Sequence, residues 1–226
     1  MTFDFGFAQQ ILPTLVDGAR ITFIATVCGM TLALMGGLIL AVVRMSQVRV
    51  LRWIGNAYVE FFRDTPLLIQ LFFLFYVLPF WGITLPAIAT GILGLGLNYS
   101  AYTAEIYRAG IESVPRGQWE VATALNLSSR TTWRRVVLPQ AYPPVVPMFG
   151  NNLIGMFKDS MLLSTITVLE LFAVTNDIGS TTYRYLEPFT LLGIIVLSLS
   201  LDGAWVVNTL SKRVAQAEST SRQPGH

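Results

Sequence analysis

Long apolar runs without a formal charge recur along this chain and limit what it can fold into. They cover residues 21–43, 65–104, 136–157 and, apart from Asp202, 188–211. A helix of about 20 residues crosses about 30 Å of hydrocarbon, and only segments that satisfy their own backbone hydrogen bonds can do so. Pro79, Gly82 and Pro86 divide the longest run into two spans. We therefore expect an all-α integral membrane protein with five transmembrane helices.

Composition agrees with this expectation. Of the 226 residues, 53% are hydrophobic and 12% are charged, which is unusual for a soluble protein. The single cysteine, Cys28, lies in the first run, so no intrachain disulfide can form. The first run has neither a basic leader nor a small-residue cleavage site, so we interpret it as a retained helix. The run at 161–169 is too short to cross and predicts a re-entrant or interfacial helix.

The placement of Lys and Arg predicts the orientation, because positively charged loops stay in the cytoplasm. With five spans and the N-terminus outside, the following residues are cytoplasmic: Arg44, Arg49, Arg52, Arg63, Arg108, Arg116, Arg130, Arg134, Arg135, Lys212, Arg213 and Arg222. Arg20, Lys158 and Arg184 fall on or near the outer side. The C-terminus is then cytoplasmic.

Several polar residues adjoin or interrupt the spans. Lys158, Asp159 and Ser160 directly follow the fourth span; they either line a polar path or mark the helix end at headgroup level. Asp202 lies within the last span beside Gly203, and a packing or subunit-contact role is favoured over solute contact. Before the second span, Pro66 suits a first helical turn, with Thr65 or Asp64 as its cap. Glu170 and Asp177, on the outer side, could serve a soluble partner, but a solvated loop is the favoured interpretation.

Enzyme signatures are missing from the sequence. No G-x-x-x-x-G-K-[ST] phosphate loop, G-x-S-x-G elbow or H-E-x-x-H pair occurs, and the one histidine is His226 at the C-terminus. We therefore expect neither catalysis nor a bound metal, which leaves solute transport or a structural role.

The island 120–139, EVATALNLSSRTTWRRVVLP, is polar and basic between two apolar runs and must face water. Residues 118–127 favour a helix with Trp119, Ala122 and Leu125 near one face. Asn126 would end it, because Asn tolerates the left-handed conformation. Ser128 or Ser129 would then cap a second short helix, 130–138, before Pro139 starts the next span. The prediction is a compact knob of two helices.

This pattern resembles the EAA motif, E-A-A-x-x-x-G followed by I-x-L-P, of the membrane subunits of ABC importers. Glu120, Ala122, Leu138 and Pro139 match it in identity and spacing. Val121, Asn126 and Val136 replace Ala, Gly and Ile.

Further stretches resemble the polar amino acid importer permeases. FFRDTPLLIQLFF is similar to their FRGTPLLVQLFF, with Asp64 where Gly is usual, and FKDSMLLSTITVLEL is similar to their segment after the fourth span. AYTAEIYRAGIESVPRGQWEVATALNLS looks like their run from the third span into the EAA loop. The likeness covers residues 14–213.

The resemblance implies a type I ABC importer permease in the bacterial inner membrane, paired with itself or a paralogue. A separate cytoplasmic ATPase dimer would hold ATP and Mg, and an extracytoplasmic binding protein would deliver a polar amino acid or related solute. Residues 1–17 would be extracytoplasmic, 18–211 the permease domain with its EAA loop at 112–139, and 212–226 a cytoplasmic tail.

The resemblance also implies residue roles. Glu120, Val121, Ala122 and Asn126 would couple the loop to the ATPase, with Leu138 and Pro139 fixing its return to the membrane. Lys158, Asp159, Ser160 and Thr65 become candidates for the solute path, where Lys158 and Asp159 could meet the two charges of an amino acid. A secondary transporter or channel, and a membrane scaffold, stay as alternatives; neither predicts all of these matches together.

Overall fold

The computed structural model describes residues 3–222, with side chains described as far as Val214. Residues 1–2 and 223–226, including the end of the predicted cytoplasmic tail and His226, lie outside the described residues. Within the described part every regular element is helical. The predicted all-α class is confirmed.

Nine α-helices follow one another in the described residues, and turns of other helical types extend two of them and join one pair. They are α1 (Phe5–Arg44), α2 (Arg49–Asp64), α3 (Leu67–Phe72), α4 (Ala87–Glu112), α5 (Arg116–Ala124), α6 (Ser129–Thr132), α7 (Leu138–Asp159), α8 (Leu171–Thr182) and α9 (Leu186–Arg222). Turns of π and 3₁₀ type, Phe73–Val77 and Leu78–Trp81, extend α3; a π turn, Trp133–Val137, joins α6 to α7; and a 3₁₀ turn, Ser160–Ile166, extends α7.

The centre of the bundle is a close parallel pair, α1 and α4. Glycines on α1 allow the approach: a Cβ at Gly29 would meet Leu95, and one at Gly37 would overlap the Thr103 hydroxyl. That hydroxyl donates a hydrogen bond of 2.7 Å to the Ala33 carbonyl of α1. In lipid no hydrophobic force drives helices together. Small residues, which allow close packing, and interhelical hydrogen bonds therefore hold them together.

The helices around this pair alternate in direction. On α3, Leu71 packs at Gly94 of α4, and on α7, Val145 packs at Gly110, so both run antiparallel to α4. On α9, Val207 packs at Gly150 of α7, which makes α9 parallel to α1 and α4. The bundle therefore reverses direction at each of its main connections.

The first helix begins at Phe5, well before the predicted span, so most of the predicted N-terminal segment is helical. Asp4 caps it by accepting a 3.1 Å bond from the Phe7 amide, and Arg184 lies 3.2 Å from the same carboxylate. These two contacts, the Phe7 amide first, lower the pKa of Asp4 below its usual value. The start of α1 is thereby tied to the turn before α9.

Residues 160–187 differ from two expectations. The run at 161–169 forms no separate interfacial helix, because its 3₁₀ turn continues α7 with Leu163 and Ile166 fully buried; the re-entrant alternative stays a prediction. Glu170 is also fully buried and is not a solvated loop acid. Its carboxylate accepts 2.8 Å bonds from the Phe172 and Ala173 amides and so caps α8.

By length and composition, two described helices are long and apolar enough to cross a membrane, Phe5–Arg44 and Leu186–Val214. Two bent pairs also qualify as broken spans. Arg49–Asp64 with Leu67–Trp81 bends by 104°, and Ser129–Ile166 with Leu171–Thr182 bends by 51°. The sharper bend opens the cavity described next.

Candidate solute cavity and coupling surface

A polar cavity of about 490 Å³ lies beside the middle of α4, where the α2–α3 bend meets the end of α7. Its size is within the range of about 300–1,000 Å³ typical of small-ligand sites. It is lined by Arg63, Asp64, Thr65, Pro66, Leu67, Asn98, Tyr99, Tyr102, Asn152 and Asp159. Polar side chains clustered at this depth mark a solute pathway by default.

The bend has a local cause. Pro66 has no amide hydrogen and drives the preceding residue out of the helical region, so Thr65 is extended, with φ −102° and ψ 136°. The expectation that Thr65 or Asp64 caps α3 was wrong. Asp64 is the last residue of α2, and the Thr65 hydroxyl donates back to the Phe61 carbonyl at 2.7 Å.

Two buried side-chain amides, those of Gln70 and Asn98, donate hydrogen bonds to the backbone carbonyls at the bend. Gln70 Nε2 donates to the carbonyls of Phe62 and Thr65, both at 3.1 Å, and Asn98 Nδ2 donates to Phe62 at 3.0 Å. Asn98 Nδ2 also donates to the side-chain oxygen Oε1 of Gln70 at 3.1 Å. A broken helix at membrane depth is tolerated where protein groups or a cavity receive its backbone, and such breaks are typical of transporter binding sites.

Asp159 supplies a carboxylate to the cavity. The Tyr99 hydroxyl donates a 2.8 Å hydrogen bond to Asp159 Oδ2, which sets the acid opposite the middle of α4. Asn152 Nδ2 is buried at the cavity wall and has no hydrogen-bond partner among the described residues. Because an unsatisfied buried donor costs about 1–3 kcal/mol, a bound group that accepts from it would be favoured.

The predicted path residues divide into two pairs. Asp159 and Thr65, 94 positions apart in sequence, both line the cavity. Lys158 is exposed outside it and forms no ion pair with Asp159, since consecutive residues of a helix point in different directions. Ser160 is fully buried and donates to the Phe157 carbonyl at 2.7 Å. Neither Lys158 nor Ser160 lines this cavity, and their predicted role in the solute path stays a prediction.

Arg63 is the charged lining residue whose place sequence reasoning missed, along with Asn98, Tyr99, Tyr102 and Asn152. The Arg63 guanidinium lies 5.7 Å from the centre of the Tyr102 ring, and Nη1 lies 3.6 Å from Glu105 Oε1. From the sequence we counted Arg63 only as a topology signal, although it stands inside the FFRDTPLL stretch. The neighbouring proline break was the signal that could have found it.

The predicted turn of the knob is present. Asn126 has φ 51°, in the left-handed region, and the amide of Leu127 donates to the Ala122 carbonyl at 3.0 Å. Ser128 then caps the next helix by accepting from the Thr131 amide at 3.3 Å. This arrangement is a Schellman-type end followed at once by an N-cap.

The knob has an inner and an outer face. Ala122 is buried, and the rings of Trp119 and Trp133 meet edge to face at 5.5 Å. Glu120 is exposed, Val121 is 56% exposed and Leu125 is 65% exposed. The spacing predicted that Leu125 shares a face with Trp119 and Ala122. It does not, because the helix ends there. The exposed apolar pair is available to a soluble partner.

The second predicted helix, 130–138, does not end before Pro139. The chain runs from α6 through a π turn, Trp133–Val137, directly into α7. Pro139 lacks the amide hydrogen that an α-helical ladder needs, and a widened turn accommodates this loss without breaking the helix. Leu138 and Pro139 line an apolar groove of about 1230 Å³ between the C-terminal half of α1, α4 and α7.

Asp202 lies on an exposed face of α9. Its neighbour Gly203 faces inward, where an added Cβ would lie 3.3 Å from Ile154 of α7. The carboxylate thus points away from the bundle and from the polar cavity, whose lining does not include it.

An all-helical bundle with a polar cavity at a broken helix and a projecting two-helix knob defines the class of membrane permease subunits. The comparison with known families then gives the particular one. The family described as "binding-protein-dependent transport system inner membrane component" matches residues 33–216, and the chain belongs to it.

Curated relatives agree over most of their length. A probable amino-acid ABC transporter permease protein of Sinorhizobium fredii, y4tG, is 43% identical over 204 residues, which cover 90% of this chain and 88% of the relative. The L-cystine transport system permease protein TcyB of Bacillus subtilis is 37% identical over 213 residues, covering 92% and 91%.

Solved structures share the fold. The crystal structure of an amino acid ABC transporter with histidines has a TM-score of 0.89 and 34% identity, and covers 94% of this chain and 100% of the other. An inward-facing MetNI methionine ABC transporter has a TM-score of 0.72 and 19% identity over 94% of this chain and 99% of the other. At that identity only the fold is compared, and it is the type I ABC permease fold.

The chain is therefore a multi-pass inner-membrane permease subunit of an ABC importer, and the predicted family is confirmed. The family is a transport component and not an enzyme, and its members work with an ATPase and a binding protein.

Proposed function

We propose that this permease carries an amino acid through the cavity between α2, α4 and α7. The observation that supports this most strongly is that a carboxylate, Asp159, and a guanidinium, Arg63, line one small cavity. A zwitterion needs both signs of charge. The names of the relatives and of the most similar solved transporter point to the same class of solute.

In this proposal each end of the amino acid has its own partners. The ammonium binds Asp159, whose orientation is fixed by Tyr99. The carboxylate accepts from Arg63 and from Asn152 Nδ2, a buried donor with no partner among the described residues. Arg63 thus takes the role that the sequence suggested for Lys158. Thr65 shapes the wall between the two ends, since its hydroxyl is held by Gln70 Nε2 at 2.7 Å.

The knob is proposed as the coupling element. Glu120 and Val121 present the exposed face of α5 to a groove on the ATPase, while Ala122, Asn126, Leu138 and Pro139 hold that face in place. The edge-to-face contact of Trp119 with Trp133, both partly buried, supports this, because it joins α5 to the helix that continues into α7. The ATPase would be a separate chain that binds ATP and Mg.

We propose five crossings with the N-terminus outside: α1, the α2–α3 pair, α4, α7 and α9. The alternating directions of these helices support the number, and the cytoplasmic excess of Lys and Arg supports the orientation. Residues 18–211 would form the permease domain, with the tail from 212 in the cytoplasm.

The permease would act as a pair, with itself or with a paralogue. Asp202 supports a subunit contact, because an acid on an exposed face within a span is costly unless a partner or interfacial water receives it. Copurification with identification of every chain in the complex tests the composition.

Uptake measured in proteoliposomes tests the transport function. The complex, purified with its ATPase and binding protein, is supplied with each radiolabelled L-amino acid and L-cystine in turn. We expect ATP-dependent uptake of at least one of them. Uptake that persists without ATP would favour a secondary transporter or channel, and no uptake of any member of this panel would contradict an amino-acid substrate.

A further inference from the structure

Glu105, on α4, is surrounded by three arginines from three helices. Arg44 of α1 lies 2.9 Å from Oε1, Arg108 of α4 lies 2.7 Å from Oε2, and Arg63 of α2 lies 3.6 Å from Oε1. The Glu105 side chain is 23% exposed, so solvent screens these charges only in part. One carboxylate therefore joins the C-terminal ends of α1 and α2 to α4.

The three contacts are unequal. The bonds from Arg44 and Arg108 are short and charge-assisted, and Arg44 is fixed further by donating from Nε to Asn56 Oδ1 at 2.7 Å. The distance from Arg63 to Glu105 Oε1 is 0.7 Å longer than that from Arg44, and the Arg63 side chain is 46% exposed. It is the member of the cluster that can leave Glu105 at the lowest cost, and it is also the member that lines the cavity.

The cluster continues toward the knob. Arg108 contacts Glu105 on one side and, with Nη1, both carboxylate oxygens of Glu112 at 2.9 Å on the other. Glu112 ends α4, and α5 begins four residues later at Arg116. Between them Val114 is buried in a cluster with Val137 and Ala141, next to Trp119 and Trp133. The Glu105 and Arg108 ion pairs, followed by the short connection after Glu112, thus link the cavity wall to α5.

We propose that Glu105 is the positioning residue that reports cavity occupancy to the coupling helix, by sharing Arg63 with the carboxylate of the solute. This inference depends on the proposed amino-acid function. When the cavity is empty, Arg63 pairs with Glu105 and fixes α2 to α4. A bound carboxylate draws Arg63 away, which frees the bend at Pro66 and leaves Arg44 and Arg108 to reposition Glu105. No covalent step is involved.

The experiment measures ATP hydrolysis by the complete reconstituted complex with its binding protein. The variable is the concentration of a mixture of the twenty proteinogenic L-amino acids and L-cystine. Glu105→Gln removes the competing charge and keeps the size, and it leaves one acceptor oxygen for the arginines. We expect the concentration of mixture giving half-maximal stimulation to fall about two- to fivefold, the range expected for loss of a partly exposed ion pair. The ratio of stimulated to basal hydrolysis should fall at least twofold.

Three further variants and one control variant make the result specific. Glu105→Asp keeps the charge and should restore most of the stimulation ratio. Arg63→Gln should raise the half-stimulating concentration, and Arg63→Gln with Glu105→Gln should match Arg63→Gln alone, because Glu105 acts through Arg63. Glu60→Gln, an exposed acid on α2, is the matched control and should behave as wild type.

Each contrary outcome has a distinct meaning. If wild type responds to the mixture and Glu105→Gln keeps both the half-stimulating concentration and the ratio, the relay is wrong while the amino-acid function stands. The relay is also wrong if Glu105→Gln shifts the half-stimulating concentration equally in the wild-type and the Arg63→Gln protein. If wild type does not respond to the mixture, the amino-acid function fails and the relay fails with it.

Discussion

The hydroxyl of Tyr99 donates a 2.8 Å hydrogen bond to the carboxylate of Asp159 across the polar cavity. This bond joins the middle of α4 to the end of α7 and fixes an acid at the wall of the polar cavity. In the proposed function this acid receives the ammonium group of the solute.

Removal of the Asp159 charge should impair transport. In Asp159→Asn, uptake of the best amino acid of the panel is expected to fall about ten- to a hundredfold, because a hydrogen bond to a charged group contributes about 1.5–3 kcal/mol. Initial uptake rates in proteoliposomes measure this. Asp177→Asn, an exposed acid on α8, should leave the rate unchanged. A normal rate and KM in Asp159→Asn would rule out the lining role.

Loss of Glu120 should weaken docking of the ATPase. We expect Glu120→Ala to insert normally while its affinity for the ATPase falls about five- to thirtyfold, which corresponds to about 1–2 kcal/mol at an interface. Titration of the purified permease with the ATPase measures the Kd, and Glu60→Ala controls for the loss of an exposed acid. An unchanged Kd with unchanged solute-stimulated hydrolysis would remove Glu120 from the coupling surface.

Gly37 should be essential to the contact between α1 and α4. Gly37→Val would overlap Thr103 and cost about 1–3 kcal/mol, the usual range for an overpacked core. The expected result is a lower thermal unfolding midpoint of the permease in detergent. Gly193→Ala on α9 should be neutral, because a Cβ there has no atom within 4 Å. Equal midpoints for the two variants would contradict the close packing.

Asn126 should tolerate glycine but not a β-branched residue. Asn126→Val places a Cβ-branched side chain at φ 51° and should cost about 1–2 kcal/mol, whereas Asn126→Gly should be neutral or stabilising. Hydrogen exchange at the Leu127 amide, which donates to Ala122, reports the turn directly. We expect about five- to thirtyfold faster exchange in Asn126→Val only. Equal exchange in both variants would show that the turn is not set by this residue.

Local signals in the sequence predicted much of the fold. The helical class, the turn at Asn126 and the Ser128 cap follow from backbone preferences that act over a few residues. The same reasoning misplaced the end of the helix near Pro139, because packing against Trp119 and Val114 favours a continuous helix with one π turn over a break.

The candidate site depended on contacts that no local pattern contains. The sequence selected Asp159 and Thr65, but it paired Asp159 with its neighbour Lys158, whereas the bend at Pro66 brings Arg63 to the cavity instead. Glu170 was interpreted as a loop acid, and only its position between α1 and α8 makes it a buried cap.

By itself, the sequence determined that this chain crosses a membrane, which family it belongs to and where its soluble knob lies, because hydropathy, charge placement and turn preference are written residue by residue. Only the tertiary structure decided which charges meet. Tyr99 and Asp159 are 60 positions apart, and Arg44 and Glu105 are 61. Such pairs form where helix packing and a proline bend bring distant residues together, and that depends on the whole bundle.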